Sequence, residues 1–584
     1  MLLNKTIRFV QIRSSITTSF RPFITPRSRP PSASSLSFKG FSTMGDIKTA
    51  TVLDESELSD GQMKSVDFEG GKVLVSKIKG QVYATSAFCT HYGAPLEKGT
   101  LSHDGRVVCP WHGACFNVCT GDIEDAPGLD SLWSFSAKVE DGKIIVSASE
   151  KEIKSKIGRI VPKARAAKES KERVVIVGGG SGGIHTVESL RMNGFTGEIV
   201  LISEEPYAPI DRTKMSKGLV DDAEKLQWRK PEELKNDFKV DFQPGTSVTK
   251  VDKEAKTVTT STGQTVKFDH LVLATGAKPK KIPIDGADLE GVLTLRFVAD
   301  TKAITSAITK ESDVVIIGTS FIGMEVASAI LKKEPKSVTL VGMDEVPFEA
   351  ILGKEIGTAI MESMKQQGIK FIMKAGVEKI APAESNSSHC GSVHLKGQDP
   401  LPANLIIMGT GVSPATGFLK ESGFELEKDG GIATDEYLQV KGYPNIYAIG
   451  DIAHYVQYPD KFQRRVEHWN VAGNQGREVA HNIARPNDKV AYTKIPIFWS
   501  SIGKGLRYLG SGAGFDEVYT DGNVDELKFA TYQAKNGKVT AVATMQRDPI
   551  VAKASELMRL DIMPSLADIK AGKNILEIDL TTKA

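Results

Sequence analysis

VVIVGGGSGGIHTVESL (174–190) runs from an apolar, β-branched stretch through a glycine-rich turn into a helix-like segment. A GxGxxG pattern alone says little. Here a strand-like run precedes Gly178, Gly180 and Gly183, a helical pattern follows them, and Glu204 closes the next strand-like run, EIVLISEE (198–205). Glycines so placed let the backbone approach a pyrophosphate, and a helix N-terminus favours its charge. Glu204 is then set to bind adenosine ribose hydroxyls, with Glu205 the adjacent alternative. A second unit of the same texture, VVIIGTSFIGMEVASAI (314–330), starts about 140 residues later and puts Gly318 and Gly323 in matching positions. That spacing predicts two related α/β dinucleotide-binding domains, not a short solenoid repeat.

The second unit departs from the pattern in two places. Ser320 replaces the middle glycine, and the strand SVTLV (337–341) runs into Gly342-Met343-Asp344, so the expected ribose acid is displaced. No Arg or Lys follows closely to cradle a 2′-phosphate, which favours NADH over NADPH. Three further segments fit nucleotide binding. LVLATGAKP (271–279) ends a buried strand in small residues. NIYAIGDIA (445–453) places Asp451 to accept from the hydroxyls of an extended ribityl chain. YAPIDRTKMSK (207–217) brings Arg212 and Lys217 just after the ribose acid. GTGVSP (409–414) is a further candidate for the nicotinamide side.

Upstream, residues 47–149 alternate in short runs between Gly turns, as in VDFEGGKVLVSKIKGQVYATS and KIIVSAS, and read as a small all-β unit. It holds Cys89, Cys109, Cys115 and Cys119 of the five cysteines; the fifth is Cys390. In CTHYGA and CPWHGA, Cys89 and His91 are followed after 17 intervening residues by Cys109 and His112. One thiolate and one imidazole from each of two tight loops suit a [2Fe–2S] centre with two Cys on one iron and two His on the other. The competing assignment is a structural zinc site, whose loops usually pair Cys with Cys and His with His at wider spacing. Cys115 and Cys119 fall in a strand-like stretch and read as ordinary buried residues.

The chain's 584 residues suggest three or four domains. With 40% hydrophobic and 25% charged residues it has the make-up of a globular protein, and a net charge of +2 gives no reason to expect nucleic acid. No apolar run reaches the roughly 18 residues of a transmembrane segment. There is no G-x-S-x-G nucleophile motif. Residues 1–45 hold seven Lys or Arg, no acid and many Ser and Thr, the composition of a mitochondrial presequence, and Met44 could start a second, cytoplasmic form. Residues 151–173, with nine basic and three acidic side chains, read as a basic linker with an extended reach of roughly 75 Å.

CTHYGAPLEKG and CPWHGACFNVCTG resemble the Rieske ferredoxin-like domains. Ala94 and Trp111 occupy positions where the cytochrome bc branch carries an extra disulfide. From residue 172 onward the ordered motifs resemble the two-dinucleotide flavoproteins that include ferredoxin reductases, and within them the apoptosis-inducing-factor-like branch that carries a Rieske domain. The resemblance implies an all-β Rieske domain, two Rossmann-like α/β domains for FAD and NAD, and a C-terminal α+β domain. The corresponding boundaries are 46–150 (Rieske), 151–171 (linker), 172–300 and 430–490 (FAD), 301–429 (NAD(P)H) and 491–584 (C-terminal reductase/interface domain, which allows a homodimer). It also implies Lys217 against the isoalloxazine, Glu325 pairing with Lys217 or orienting the nicotinamide, and contacts to FAD from Arg212, Val248, Arg296, Glu467, His468, Trp469 and Trp499. Electrons would pass from NAD(P)H through FAD to the [2Fe–2S] cluster and on to an acceptor the sequence does not specify: an oxygenase, a haem protein, a quinone or oxygen. The alternative is a slow-turnover, redox-sensitive signalling flavoprotein. Between Arg173 and Ala584 the only cysteine is Cys390, so no dithiol pair is available for disulfide reduction.

Overall fold

The computed structural model of the protein describes residues 47–155, 158–160 and 170–580. The N-terminal segment read as a presequence, with Met44, lies outside them.

Alternating sequence at 63–86 and 134–149 folds as period-2 strands should. Met63–Phe68, Gly71–Ile78 and Gln81–Ser86 form a meander, and with Ser134–Glu140, Lys143–Ser149 and Ile47–Asp54 they make a six-stranded antiparallel sheet. A second sheet of four short strands, Thr100–Leu101, Arg106–Val108, Cys115–Asn117 and Ile123–Asp125, covers its inner face. Leu74, Leu96, Val107, Phe116 and Leu132 fill the core around Cys89 and Cys109. Cys115 is buried in its strand, and Cys119 lies half-buried just beyond it.

Runs such as RVVIV and HLVL are apolar on both faces, as strands sandwiched between layers must be. Five parallel strands stand in the order Val240–Gln243, Glu198–Ile202, Arg173–Val177, His270–Leu273, Ile446–Ala448. The last of these returns after some 170 residues, so the second dinucleotide unit is inserted within the first. That insert has its own five-stranded parallel sheet, ordered Val292–Leu293, Leu405–Met408, Asp313–Ile317, Ser337–Val341, Lys370–Ile372. Each parallel sheet carries a three-stranded antiparallel flap. The C-terminal unit is a five-stranded antiparallel sheet starting at Ile497–Ile502, backed by the helix Ile550–Arg559.

Arg159, in the segment read as a linker, contacts the N-terminal β domain. Arg159 exchanges backbone hydrogen bonds with Ser131, and its guanidinium reaches Asp122 at 2.5 Å. The β domain itself is docked on the rest of the chain. Asn470 and Asn474 hold both backbone polar groups of Ala126 at 2.8 and 2.7 Å, and Arg477 donates to the carbonyl of Glu124 at 3.2 Å. Arg106 pairs with Glu124 and Asp125 within the domain and approaches Glu556 of the C-terminal unit at 3.6 Å. Lys494 reaches Asp125 at 2.6 Å. Burial alone would raise the Asp125 carboxyl pKa, but Arg106 and Lys494 outweigh it and hold that pKa well below the usual range.

Arg229, only 6% exposed, bridges Asp130 of the β domain and Glu188 of the first nucleotide helix, the latter at 2.7 Å. Removing one partner of a buried ionic group leaves the others uncompensated. Arg229→Met should therefore destabilise the docked arrangement by about 3–5 kcal/mol, seen as an earlier urea transition of the N-terminal domain. A transition unchanged from wild type would show that this bridge does not hold the two domains.

Candidate functional site

The two cysteine–histidine loops share one backbone design. Cys89 N–H donates to Ala94 C=O at 2.8 Å, and Gly93 N–H donates back to Cys89 C=O at 2.9 Å; Cys109, Ala114 and Gly113 repeat this at 2.8 and 3.2 Å. Gly93 and Gly113 sit at φ 76° and 74°, in the left-handed region a side chain disfavours. The C-x-x-x-G-A spacing common to both loops is thus the spacing of a tight turn that projects its ligands the same way.

The four predicted ligands come together as two pairs. The thiols of Cys89 and Cys109 hydrogen-bond to each other, and the Nδ1 atoms of His91 and His112 stand 3.1 Å apart. Two nitrogens about 2.1 Å from one tetrahedral ion are about 3.4 Å apart, so the imidazole pair has the spacing that one metal between them requires. Among the described residues no three His, Cys, Asp or Glu groups surround a single metal position. Two-plus-two is the donor set of a dinuclear iron–sulfur centre. Burial pulls the pKa of His91 down to about 4 and that of His112 to about 2, which leaves both imidazoles neutral with a lone pair to give.

Beside this centre lies a cleft of about 570 Å³. Gly178 and Gly183 are there for packing: a Cβ would stand 2.1 Å from Ala274 O and 2.0 Å from Gly178 O respectively. Gly180 differs, since a Cβ there would meet no protein atom and would point into open space at the N-terminus of the helix Ser181–Met192. That space is the approach an anion needs. Glu205 is engaged by Arg212 at 2.5 Å and by Tyr207 at 2.6 Å. Glu204 lines the cleft with Lys278 4.0 Å away. Asp451 lines the cleft too, accepting from Arg296 at 3.0 Å. In the second turn Gly318 and Gly323 repeat the close contacts, with Cβ positions 2.4 Å from Gly409 O and 2.0 Å from Gly318 O, and Ser320 takes the place of Gly180.

Lys217 and Glu325 meet at 3.0 Å and are 16% and 3% exposed, so theirs is not a surface ion pair. Glu325 also accepts from Ser216 at 2.5 Å and Ser500 at 2.6 Å, which satisfies the buried carboxylate and fixes the ammonium position. The Lys217 ammonium lies 4.9 Å from the ring centre of Trp499. His468 lines the cleft with its pKa pulled down to about 3, chiefly by burial and then by Lys217. Trp469 and Trp499 line it as well. Val248 is not among the lining residues: it packs in the apolar core with Val251, Val258 and Val266.

The contacts joining the two sites carry no motif. His112 packs on Trp499 with ring centres 4.4 Å apart, and His91, Trp228 and Trp469 form a near-parallel series at 5.9 and 6.0 Å. Tyr92 donates to the buried Asp211 at 2.5 Å. The imidazole edge of the metal centre therefore faces the cleft of the same chain.

A family profile described as Rieske [2Fe-2S] domain matches residues 48–136, and one described as Pyridine nucleotide-disulphide oxidoreductase matches residues 172–476. The chain belongs to the pyridine nucleotide-disulphide oxidoreductase family. It is 37% identical over 519 residues to Apoptosis-inducing factor 3 of Mus musculus, covering 88% of this chain and 84% of that one. It is 30% identical over 400 residues to rhodocoxin reductase of Rhodococcus erythropolis, covering 68% and 91%. Among solved structures it is similar to the ferredoxin reductase for the CYP199A2 system of Rhodopseudomonas palustris, with TM-score 0.65, 27% identity and coverage of 70% and 98%. Another similar structure is the covalent putidaredoxin reductase–putidaredoxin complex, with TM-score 0.63, 25% identity and coverage of 67% and 93%. The protein is an FAD-dependent NAD(P)H oxidoreductase with a Rieske [2Fe–2S] domain. After residue 173 the only cysteine is Cys390, which is buried, and burial pushes its pKa up to about 11.

Two substitutions separate binding from folding. Gly180→Val should fold yet lose FAD, because its side chain fills the open approach, whereas Gly183→Ala should fail to fold. Cys109→Ser should lose bound iron while Cys115→Ser keeps it, measured as iron per chain and by EPR of the dithionite-reduced protein. Equal iron in both would displace Cys109 from the ligand set.

Proposed function

We propose that this oxidoreductase passes electrons from NAD(P)H to its own Rieske domain within one chain, and from there to a separate acceptor. The supporting observation is the packing of His112 on Trp499, whose ring also carries the Lys217 ammonium. FAD, when bound, takes up two electrons with hydride and releases them singly. The residues supply the rest. Glu204 and Asp451 take ribose and ribityl hydroxyls, and the Gly178–Gly180 turn takes the pyrophosphate. Lys217, held by Glu325, puts a fixed positive charge at the cleft wall to stabilise negative charge arriving there. Arg212, Arg296 and Trp469 complete the FAD contacts, and Gly318, Gly323 and Glu325 serve the nicotinamide nucleotide. Trp499 replaces water with a continuous aromatic contact between cleft and cluster ligand.

No membrane-crossing helix is present among the described residues. We read residues 1–45 as a mitochondrial address, which N-terminal sequencing of the natural protein tests. The likeness to Apoptosis-inducing factor 3 favours a second reading, a slowly turning redox switch. Fast steady-state NAD(P)H oxidation with one-electron acceptors excludes it.

Trp499→Leu should slow cluster reduction after anaerobic mixing with NAD(P)H by at least tenfold more than it slows flavin bleaching. The check is stopped-flow absorbance for the flavin and freeze-quench EPR for the cluster. Cluster reduction at the wild-type rate, or one that rises with protein concentration as transfer between chains would, defeats the proposal.

A further inference from the structure

The two nucleotide-binding halves can be laid on each other by strand register. Val177 pairs with Ile202 in the first parallel ladder, and Ile317 pairs with Val341 in the second. Ser203, Glu204 and Glu205 therefore correspond to Gly342, Met343 and Asp344. A tertiary contact supports the match. A Cβ on Gly179 would stand 2.6 Å from Ser203 Oγ, and in the second half the partners are exchanged: a Cβ on Gly342 would stand 2.6 Å from Thr319 Oγ1. The same space is filled from the opposite side, and the two strand ends are equivalent.

Met343, 83% exposed, thus occupies the place where the first half carries its ribose acid. A carboxylate there binds the 2′-hydroxyl and repels a 2′-phosphate; a thioether does neither. The neighbouring strand adds a cation that sequence proximity does not show. Gly342 N–H donates to Ile372 C=O at 3.0 Å, and Lys374 N–H donates to Asp344 C=O at 3.0 Å, which brings Lys374 to this strand end. Its ammonium lies 3.2 Å from Glu345, which also pairs with Lys354. Two ammonium groups share one carboxylate, and Lys374 is 67% exposed. Asp344 and Glu349 are the other acids at this end of the sheet.

We propose that this site is built to admit NADPH, with the 2′-phosphate over Met343 and paired with Lys374, so that the enzyme does not select NADH. The preference for NADH suggested by the residues following Val341 is overridden by a lysine more than thirty positions further along the chain. The inference is independent of the electron route, because binding of the adenosine end involves neither transfer step.

Calorimetry on purified holoprotein, whose first nucleotide site is filled, compares adenosine 2′,5′-bisphosphate with AMP. The bisphosphate is expected to bind more tightly, with an advantage that shrinks as salt rises. AMP binding equally or more tightly overturns the proposal. Met343→Glu should lower the bisphosphate-to-AMP affinity ratio about tenfold, and Lys374→Ala should lower it by a similar factor, the usual worth of one charge-assisted contact. Asp344→Asn should change the ratio by less than about twofold. A larger rise for that variant would identify Asp344 as the ribose acid and overturn the assignment of Met343; an unchanged ratio in Met343→Glu would do the same.

Discussion

Arg229, buried between Asp130 of one domain and Glu188 of another, shows what the architecture depends on. A guanidinium removed from water is tolerable only while both carboxylates stay in place. Around it, Arg106, Asp125, Lys494 and Glu556 form a second charged group across the same interface. Such groups add little net stability compared with apolar packing, but they accept one relative placement of the domains and penalise others. That placement is what brings His112 onto Trp499.

The same constraint explains the polarity of the interface. Asn470, Asn474 and Arg477 lie on the helix Trp469–Ala484, whose first residue lines the cleft. Hydrogen bonds from that helix to Ala126 and Glu124 therefore fix the β domain and the cleft wall with one rigid element. The helix packs closely on Ser181–Met192 because its own glycines allow it: a Cβ on Gly476 would stand 2.5 Å from Gly182 O. Nucleotide turn, helix pair and docking face are one mechanical unit.

Much of the site was legible from residue order because its parts are local. A Cys-x-His or Cys-x-x-His loop closed by a left-handed glycine and a strand–glycine–helix turn each need fixed residue types within about six positions, since backbone hydrogen bonds within the turn set the geometry. Cys89, His91, Cys109, His112, Gly178 and Gly180 could be singled out for that reason. Which layer Val248 faces is not a local matter: a period-2 strand presents residues to two layers, and what packs above decides between them. The contacts of Arg159 with Ser131 and Asp122 were not legible, because they exist only once the β domain has folded.

By itself the sequence determined the inventory: two glycine-rich nucleotide turns, two paired Cys–His loops, no cysteine pair after residue 173, and the order of these parts along the chain. Only the tertiary structure decided how these parts meet: that the imidazole edge faces the cleft, that Trp228 and Trp499 stand between the two sites, and that Lys374 arrives beside Met343. The reason is physical. Turns and caps are satisfied by bonds spanning a few residues, whereas domain contacts are made by side chains hundreds of positions apart, selected by burial and charge pairing that no local pattern encodes.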